Sequence, residues 1–382
     1  MQTISSQPLA LLNQLTPEQF LAEYWQKKPL LIRQAIPGFS GLLTPDELAG
    51  LACEDEVQSR LVQFTKGQWQ VTHGPMSEST FKRLPEKDWT LLVQGVNHYL
   101  PEAADLLAQF RFIPHARLDD LMVSYAPDGG GVGPHLDSYD VFLLQGSGKR
   151  HWKISQQTDL TLIEDAPLRI LKHFETEQEW VLEAGDMLYL PPQIAHWGVA
   201  AGEDCMTYSI GFRAPKTQEL AHEFLHYLQD QLQLSGIYAD ADLTVQSHPA
   251  EISHSMVDKV HQSLQAITWQ PQQVGDFLGR YLTEPKAHIV FDPPKKMSLK
   301  LFSQHLNQEA LYLSLPSQML FWQDRFYLNG ESLTVPAQLL SALKTLADER
   351  CLDCTTLDAV KIDELAALMH PHYLAGYVTF GE

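Results

Sequence analysis

Residues 133–142 read GPHLDSYDVF, and residues 190–196 read LPPQIAH. Because side chains alternate between the two faces of a strand, His135 and Asp137 are expected to project to the same side, about 7 Å apart. His196 lies far enough downstream for several intervening strands to bring it back beside this pair, as in a double-stranded β-helix. Two histidines and one carboxylate form the facial triad that binds Fe(II) and leaves the opposite coordination face open. The pattern therefore predicts an iron centre that oxidises a C–H bond.

Short apolar runs separated by glycine turns extend from Leu118 to Phe212, after a helical beginning. An amphipathic helix is expected over residues 16–26, which begin with the capping signature TPEQ. Strands are expected at 121–125, 141–145, 150–154, 180–182, 187–190 and 206–212. Many short strands joined by glycine turns favour a small barrel or jelly roll.

After Pro215 the chain changes to longer periodic segments. Helices are expected at 217–234, 253–267 and 274–282, and their short polar loops favour a helical bundle. Asn329-Gly330, between strands expected at 321–327 and 332–335, is a strong hairpin signal. Residues 336–350 begin with a proline and are expected to form a helix. The prediction is an α+β protein with domains at 1–215, 216–290 and 291–382.

The composition excludes several classes of protein. The sequence is 44% apolar and 19% charged, as in ordinary globular proteins, and no run of apolar residues is long enough to span a membrane. No secretory signal is expected at residues 1–20, so a cytoplasmic location is predicted. The net charge of −20 argues against direct binding to nucleic-acid phosphates and suits a basic protein partner. Residues 290–382, with seven basic and eleven acidic side chains, also lack a basic footprint.

Four segments carry a resemblance to a known family. They are WQKKPL at 25–30, GPHLDSYDVF at 133–142, GKRHW at 148–152, and GDMLYLPP at 185–192, which continues into His196. The chain resembles the JmjC group of 2-oxoglutarate-dependent oxygenases, which are built on a cupin-type double-stranded β-helix, and more narrowly the ribosomal oxygenases. Its middle part is similar to the helical dimerisation region of that family, and its last ninety or so residues are similar to the winged-helix region.

The resemblance implies roles for five side chains. His135, Asp137 and His196 would be the catalytic residues that ligate Fe(II). Arg150 and Ser124 would hold the far carboxylate of 2-oxoglutarate, which is consumed together with O2. The planar guanidinium of an arginine can bind a carboxylate through two parallel hydrogen bonds.

The substrate implied by the resemblance is an arginine side chain of large-subunit ribosomal protein sixteen, although a histidine target stays open. A basic ribosomal protein would then be one partner, and a second copy of the chain another. Asp128 and Asp140 are the candidates to bind the guanidinium of the substrate. Each also has a structural interpretation, as a solvated loop residue for Asp128 and as a turn cap for Asp140.

Two alternatives belong to other classes. His222-Glu223-Phe224-Leu225-His226 has the zinc-binding pattern of metalloproteases. On a helix, however, both histidines would lie on the polar side, and no third ligand can be assigned. A catalytically silent cupin that only binds a partner is the second alternative, and the intact triad together with Arg150 argues against it.

Overall fold

The structure is a computed structural model that describes residues 7–381. These residues form two compact units, one made of residues 7–214, 285–318 and 336–381 and the other of residues 215–284 and 319–335. Within the described range, none of the helices combines the length and apolar character needed to cross a membrane. The predicted domain boundaries remain predictions, and their outer ends, Met1 and Glu382, lie outside the described residues.

The part before residue 214 contains the strands expected from the sequence and several others. The helices are α1 (Pro17–Glu23), α2 (Pro45–Leu51), α3 (Glu78–Phe81) and α4 (Pro101–Ala108). The strands are β1 (Leu30–Ile32), β2 (Ser59–Thr65), β3 (Gln68–His73), β4 (Trp89–Val93), β5 (Leu118–Ala126), β6 (His135–Leu136), β7 (Asp140–Ser147), β8 (Arg150–Ser155), β9 (Gln178–Leu182), β10 (Met187–Leu190), β11 (Ala195–Ala200) and β12 (Cys205–Phe212).

The rest of the chain is mixed. Its helices are α5 (Thr217–Gln229), α6 (His254–Leu264), α7 (Pro271–Thr283), α8 (Leu299–Leu306), α9 (Leu340–Glu349) and α10 (Ala359–Leu374). Its strands are β13 (Leu311–Leu313), β14 (Met319–Trp322), β15 (Arg325–Leu328), β16 (Glu331–Leu333), β17 (Cys351–Leu352) and β18 (Val378–Phe380).

Two antiparallel sheets form the jelly roll that the sequence predicts. The large sheet has the strand order β1-β10-β7-β12-β5-β4-β2-β3, and the small sheet has the order β6-β11-β8-β9. Leu143 and Leu188 of the large sheet pack in one buried cluster with Trp152 and Ile154 of the small sheet. We call the face of each sheet that packs against the other sheet its inner face.

The outer face of the large sheet is covered by the N-terminal helices. The ring of Phe20 on α1 lies 5.5 Å from Phe142 and 5.0 Å from Tyr189, which come from neighbouring strands of that sheet. The predicted helix cap is confirmed, because the side chains of Thr16 and Gln19 form a capping box. The helix itself ends at Glu23, earlier than expected.

Four strands before residue 118, β1 to β4, were not expected. β2 and β3 form a hairpin through Lys66-Gly67, where φ is +54° and +78°. Two consecutive positive φ values are typical of the tight turns that match the twist of a hairpin. The expectation of one strand over residues 321–327 is also wrong, because Gln323, at φ +58°, turns the chain between β14 and β15.

The second unit consists of α5, α6 and α7 with the hairpin strands β14, β15 and β16. A Cβ atom at Gly275 would lie 2.4 Å from the ring of Trp322, and one at Gly279 would lie 2.2 Å from the ring of Tyr327. These two glycines therefore allow the helix to approach the hairpin closely. The Asn329-Gly330 turn joins β15 to β16, as the sequence predicts.

Candidate active site

The triad residues meet at one end of the small sheet. His196 on β11 lies directly opposite His135 on β6, and the centres of the two rings are 4.2 Å apart. Asp137 follows β6, and its carboxylate lies 3.6 Å from Nε2 of His196. The three ligand atoms lie within 4.8 Å of one another. Within residues 7–381 this is the one group of three or more histidine, cysteine or acidic side chains close enough to share a metal ion.

Both imidazoles are oriented by backbone carbonyls. Nδ1 of His135 is 2.9 Å from the carbonyl oxygen of Gly133, and Nδ1 of His196 is 2.9 Å from that of Ile194. A hydrogen bond donated by Nδ1 places the proton there and leaves the lone pair on Nε2. Burial and the neighbouring His135 lower the pKa of His196 to about 4, so its ring is neutral at pH 7. The donor set is thus two imidazole nitrogens and one carboxylate, which suits Fe(II).

The turn before His196 is connected to the other two ligands through the backbone. The N–H of Gln193 donates to the carbonyl oxygen of Asp137 at 2.8 Å. Gln193 has a φ of +69°, a conformation that turns the chain sharply after Pro191-Pro192. This contact and the strand pairing hold the three ligands in place through hydrogen bonds of the protein itself.

Arg150 shares the inner face of the small sheet with His196. Along β11, Gly198 and Ala200 lie two and four residues after His196 and project to the same face. Their partners on β8 are Trp152 and Arg150, respectively. The ring of Trp152 lies 5.9 Å from that of His196, and the guanidinium of Arg150 lies 5.7 Å from the ring of Trp152. We call His196, Trp152 and Arg150 the inner row.

Three nitrogen donors of Arg150 and Trp152 lack acceptors among the described residues. Arg150 is 5% exposed, and its Nε and Nη2 atoms have no hydrogen-bond partner among the described residues. Nε1 of Trp152 is buried without a partner in the same range. An unsatisfied buried donor costs about 1–3 kcal/mol, and more when it is charged. Three such donors beside the triad therefore suit a ligand that only accepts hydrogen bonds, such as a carboxylate.

Replacing Gly198 by alanine is expected to destabilise the fold. The new Cβ would lie 2.6 Å from the ring of Trp152, which is closer than van der Waals contact allows. Overpacking of this kind costs roughly 1–3 kcal/mol in the free energy of unfolding. Urea denaturation measures this loss. Gly211→Ala, in β12, is the matched control because its Cβ would meet nothing closer than 3.8 Å. Equal stability of the two variants would show that the packing of the Trp152 ring does not require a glycine at position 198.

Ser124 lies on the facing sheet. It shares the inner face of β5 with Ala126, and Ala126 packs in a buried cluster with Ala200 of β11. Its hydroxyl has one distant neighbour, the carbonyl oxygen of Thr207 at 3.5 Å. The structure thus places Ser124 on the side of the sandwich where Arg150 projects.

The two acidic candidates differ in position. Asp128 is exposed in the glycine loop before β6, and its carboxylate accepts a hydrogen bond from the N–H of Gly202 at 2.8 Å. Asp140 is fully buried. Its carboxylate accepts hydrogen bonds from Tyr189 at 2.6 Å and from Gln26 at 2.9 Å.

The expected role of Asp140 in substrate binding does not fit this position. Asp140 alternates with Val141 on β7, so it projects to the outer face, on the same side as Phe142. Its carboxylate also lies 3.4 Å from Nη2 of Arg117. These contacts tie the N-terminal helical segment to the large sheet and leave no carboxylate oxygen for a ligand.

The metalloprotease pattern lies on α5 without a metal site. His222, Glu223 and His226 are all exposed. Nε2 of His222 contacts the side-chain amide of Gln218 at 2.7 Å, and His226 lies 3.9 Å from Glu223. No further ligand joins them among the described residues.

Sequence reasoning missed Trp152 and the cleft next to the triad. The alternation of Arg150, Trp152 and Ile154 along β8 was the available signal, since it places all three on one face. The cleft has a volume of about 960 Å³, and its lining includes Pro134 and Trp197, the chain neighbours of two triad residues. Several lining residues belong to the long connection between β8 and β9. The sequence of this connection has no periodic pattern, so it did not indicate a cleft.

Family models match two separate parts of the chain. A model for the JmjC domain matches residues 105–220, and a model for a ROXA-like winged helix matches residues 266–379. The C-terminal winged helix that the sequence suggested is therefore confirmed.

One relative and its solved structure span nearly the whole chain, and a second relative spans more than half of it. The ribosomal protein uL16 3-hydroxylase of Escherichia coli (strain K12) is 36% identical over 365 residues, which cover 94% of this chain and 96% of the relative. A probable ribosomal oxygenase of Haemophilus influenzae is 43% identical over 225 residues, which cover 58% of this chain and 55% of the relative. The structure of the E. coli ribosomal oxygenase YcfD in complex with cobalt and 2-oxoglutarate superimposes with a TM-score of 0.82 at 36% identity, covering 96% of this chain and 98% of that one.

Proposed function

Since the chain belongs to the ribosomal oxygenases, a group of JmjC-type 2-oxoglutarate-dependent enzymes, we propose that it is an Fe(II)-dependent hydroxylase of an arginine side chain of ribosomal protein uL16. The observation that carries this proposal is the inner row. It places unpaired buried donors next to a triad whose two Nε2 atoms are free to bind a metal. A silent cupin would have no use for a buried guanidinium with two unpaired nitrogen donors, because burying such a charge costs several kcal/mol.

His135, Asp137 and His196 would bind Fe(II), and Arg150 would bind the far carboxylate of 2-oxoglutarate. With iron and 2-oxoglutarate bound, the centre supplies the oxidising power that inserts one atom of O2 into an unactivated C–H bond, while the other atom enters succinate and CO2 is released. One structure of the E. coli relative contains both cobalt and 2-oxoglutarate. This supports the binding of a divalent metal ion together with 2-oxoglutarate here.

The chain's own residues orient and enclose the reaction. The carbonyl oxygens of Gly133 and Ile194 keep both imidazole rings turned so that Nε2 faces the metal position. The ring of Trp152 lies next to both His196 and Arg150 and is buried, so it would limit the access of water to the space between them. Ser124, on the facing sheet, would add a hydroxyl donor to the carboxylate, and Asp128 remains the candidate at the rim for the guanidinium of the substrate.

Incubation of the purified chain with uL16, Fe(II), 2-oxoglutarate and O2, followed by mass spectrometry of the uL16 peptides, tests the proposal. The expected result is the gain of one oxygen atom on an arginine, which disappears when 2-oxoglutarate is omitted. Oxygen on a histidine instead would replace the arginine assignment. Succinate release without any modified peptide would refute uL16 as the substrate and leave the oxygenase chemistry in place.

The proposed partner besides uL16 is a second copy of the chain, through α6. Met256, Val257, Val260 and Leu264 are at least 39% exposed and form one stripe on that helix. No residue of α6 is buried. We place the reaction in the cytoplasm, since a relative is named for its action on a ribosomal protein. The net charge of −20 supports a basic protein as partner rather than a nucleic acid.

The double variant Val257→Glu/Val260→Glu is expected to convert a dimer to a monomer, because it places two charges in an apolar contact. Light scattering coupled to size exclusion measures the mass. Gln262→Glu, an exposed polar position on the same helix, is the matched control and should keep the mass of the parent. A monomeric parent chain would contradict dimerisation at this helix.

A further inference from the structure

The cleft next to the triad is acidic and contains aromatic side chains. Asp88, Glu164 and Asp165 line it, and no lysine, arginine or histidine does. Within residues 7–381, none of the three carboxylates forms an ion pair or accepts a side-chain hydrogen bond. Like charges that face a common space repel one another, and an added cation would remove that repulsion.

Two of its walls belong to elements that hold the triad. The side chain of Asp88 packs on the glycine loop before β6, since a Cβ at Gly129 would lie 2.4 Å from its Oδ1. Trp69 packs on Gly133, where a Cβ would lie 2.9 Å from its ring. Gly133 has a φ of +78° and precedes His135 by two residues. The cleft therefore borders the backbone that carries the metal ligands. Trp197 and Val199 alternate with His196 along β11, so the cleft lies on the opposite face of that strand from the ligand side chain.

An exposed aromatic pair borders the carboxylates. The rings of Phe64 and Trp69 are 4.6 Å apart, and Phe64 is 43% exposed. Aromatic faces of this kind attract guanidinium and ammonium groups, by about 0.5–1 kcal/mol at exposed sites. Trp197, the other tryptophan of the cleft, already has Nζ of Lys153 over its ring at 5.3 Å.

We propose that this cleft binds the part of the substrate polypeptide next to the hydroxylated residue and selects a cationic side chain there. Asp88, Glu164 and Asp165 would attract the charge, and the Phe64–Trp69 pair would receive its apolar stem and planar head. The proposal rests on the proposed function, because it takes the substrate to be a basic protein. The cleft would add a second recognition site, for a side chain of the substrate other than the one that is hydroxylated. A volume of about 960 Å³ accommodates several residues of an extended chain, more than one side chain needs.

The test measures binding apart from turnover. A short fluorescein-labelled peptide with a central arginine and one arginine on each side in a glycine-alanine background is titrated with the full-length chain, with Co²⁺ in place of Fe(II). The matched peptide carries citrulline, a neutral isostere, at both flanking positions. Fluorescence anisotropy gives the two dissociation constants at low and at high salt.

Glu164→Gln/Asp165→Asn is the test variant, and Glu54→Gln/Asp55→Asn, a second exposed Glu-Asp pair outside the cleft, is its control. We expect the test variant to bind the arginine peptide about five-fold more weakly at low salt, as two exposed ion pairs imply. The loss should shrink at high salt and be absent for the citrulline peptide, while the control variant binds as the parent does.

Equal binding of both peptides by the parent chain would overturn the proposal, and so would an equal effect of the two double variants. These outcomes are independent of the proposed function, because a failure to hydroxylate uL16 leaves the anisotropy result unchanged. Conversely, hydroxylation of uL16 with unchanged efficiency by the test variant, together with unchanged peptide binding, would reject the cleft and retain the enzyme.

Discussion

Asp137→Ala is expected to abolish hydroxylation, because the proposed metal centre would lose the carboxylate of its triad. Loss of a residue that merely orients a ligand costs about 10- to 100-fold in metal affinity, so the loss of a ligand should exceed that range. The metal-free fold should be little affected. Asp137 is partly exposed, and His196, whose ring lies beside its carboxylate, is neutral at pH 7.

Two measurements separate these effects. Calorimetric titration with Co²⁺ gives the metal affinity, and thermal unfolding with and without metal gives the stabilisation that binding provides. Asp105→Ala, at an exposed position on α4, is the control and should keep both. If Asp137→Ala bound Co²⁺ as tightly as the parent chain, the proposed metal centre would be wrong.

Arg150→Met is expected to affect ligand binding and stability in opposite directions. Removing one partner of a buried charged pair costs about 2–5 kcal/mol of binding, which corresponds to a rise in the KM for 2-oxoglutarate of roughly two orders of magnitude. Without ligand, the parent chain buries a guanidinium whose Nε and Nη2 have no partner in the described range. Methionine removes that penalty while filling similar space, so the ligand-free variant should be at least as stable as the parent.

Steady-state kinetics at varied 2-oxoglutarate and urea denaturation of the ligand-free chain test both parts. Arg150→Lys keeps the charge but not the planar fork and should lose less affinity than Arg150→Met. Arg169→Met, at an exposed position, controls for the loss of a charge. An unchanged KM would exclude Arg150 from co-substrate binding, and a marked loss of ligand-free stability would mean that its charge is compensated in the fold.

The sequence predicted the three side chains that the structure brings within reach of one metal ion, because their spacing carries the information. His135 and Asp137 are two residues apart, and the strand that ends in Pro191-Pro192 leads directly to His196. The spacing does not predict that His196 pairs with His135, because this pairing depends on the register between strands that are distant in the sequence.

Asp140 shows where sequence proximity misleads. It lies three residues after Asp137, yet β6 and β7 belong to different sheets, and Asp140 projects to the outer face of the large one. Assignment to a sheet is a tertiary property that a local pattern does not encode. The same holds for the acidic cleft. Its carboxylates come from the residue before β4 and from an irregular loop, which only the folded chain brings together.

The hydrogen bond between Gln193 and Asp137 and the carbonyl contacts of both imidazoles have a consequence for metal supply. Because hydrogen bonds of the protein hold the three side chains in place, we expect the chain to fold before it binds the ion. Nitrogen and oxygen donors in such a ready-made site hold Zn²⁺ or Cu²⁺ more tightly than Fe²⁺. Correct loading is therefore decided by which ions the cell keeps free, and zinc excess should silence the enzyme without unfolding it.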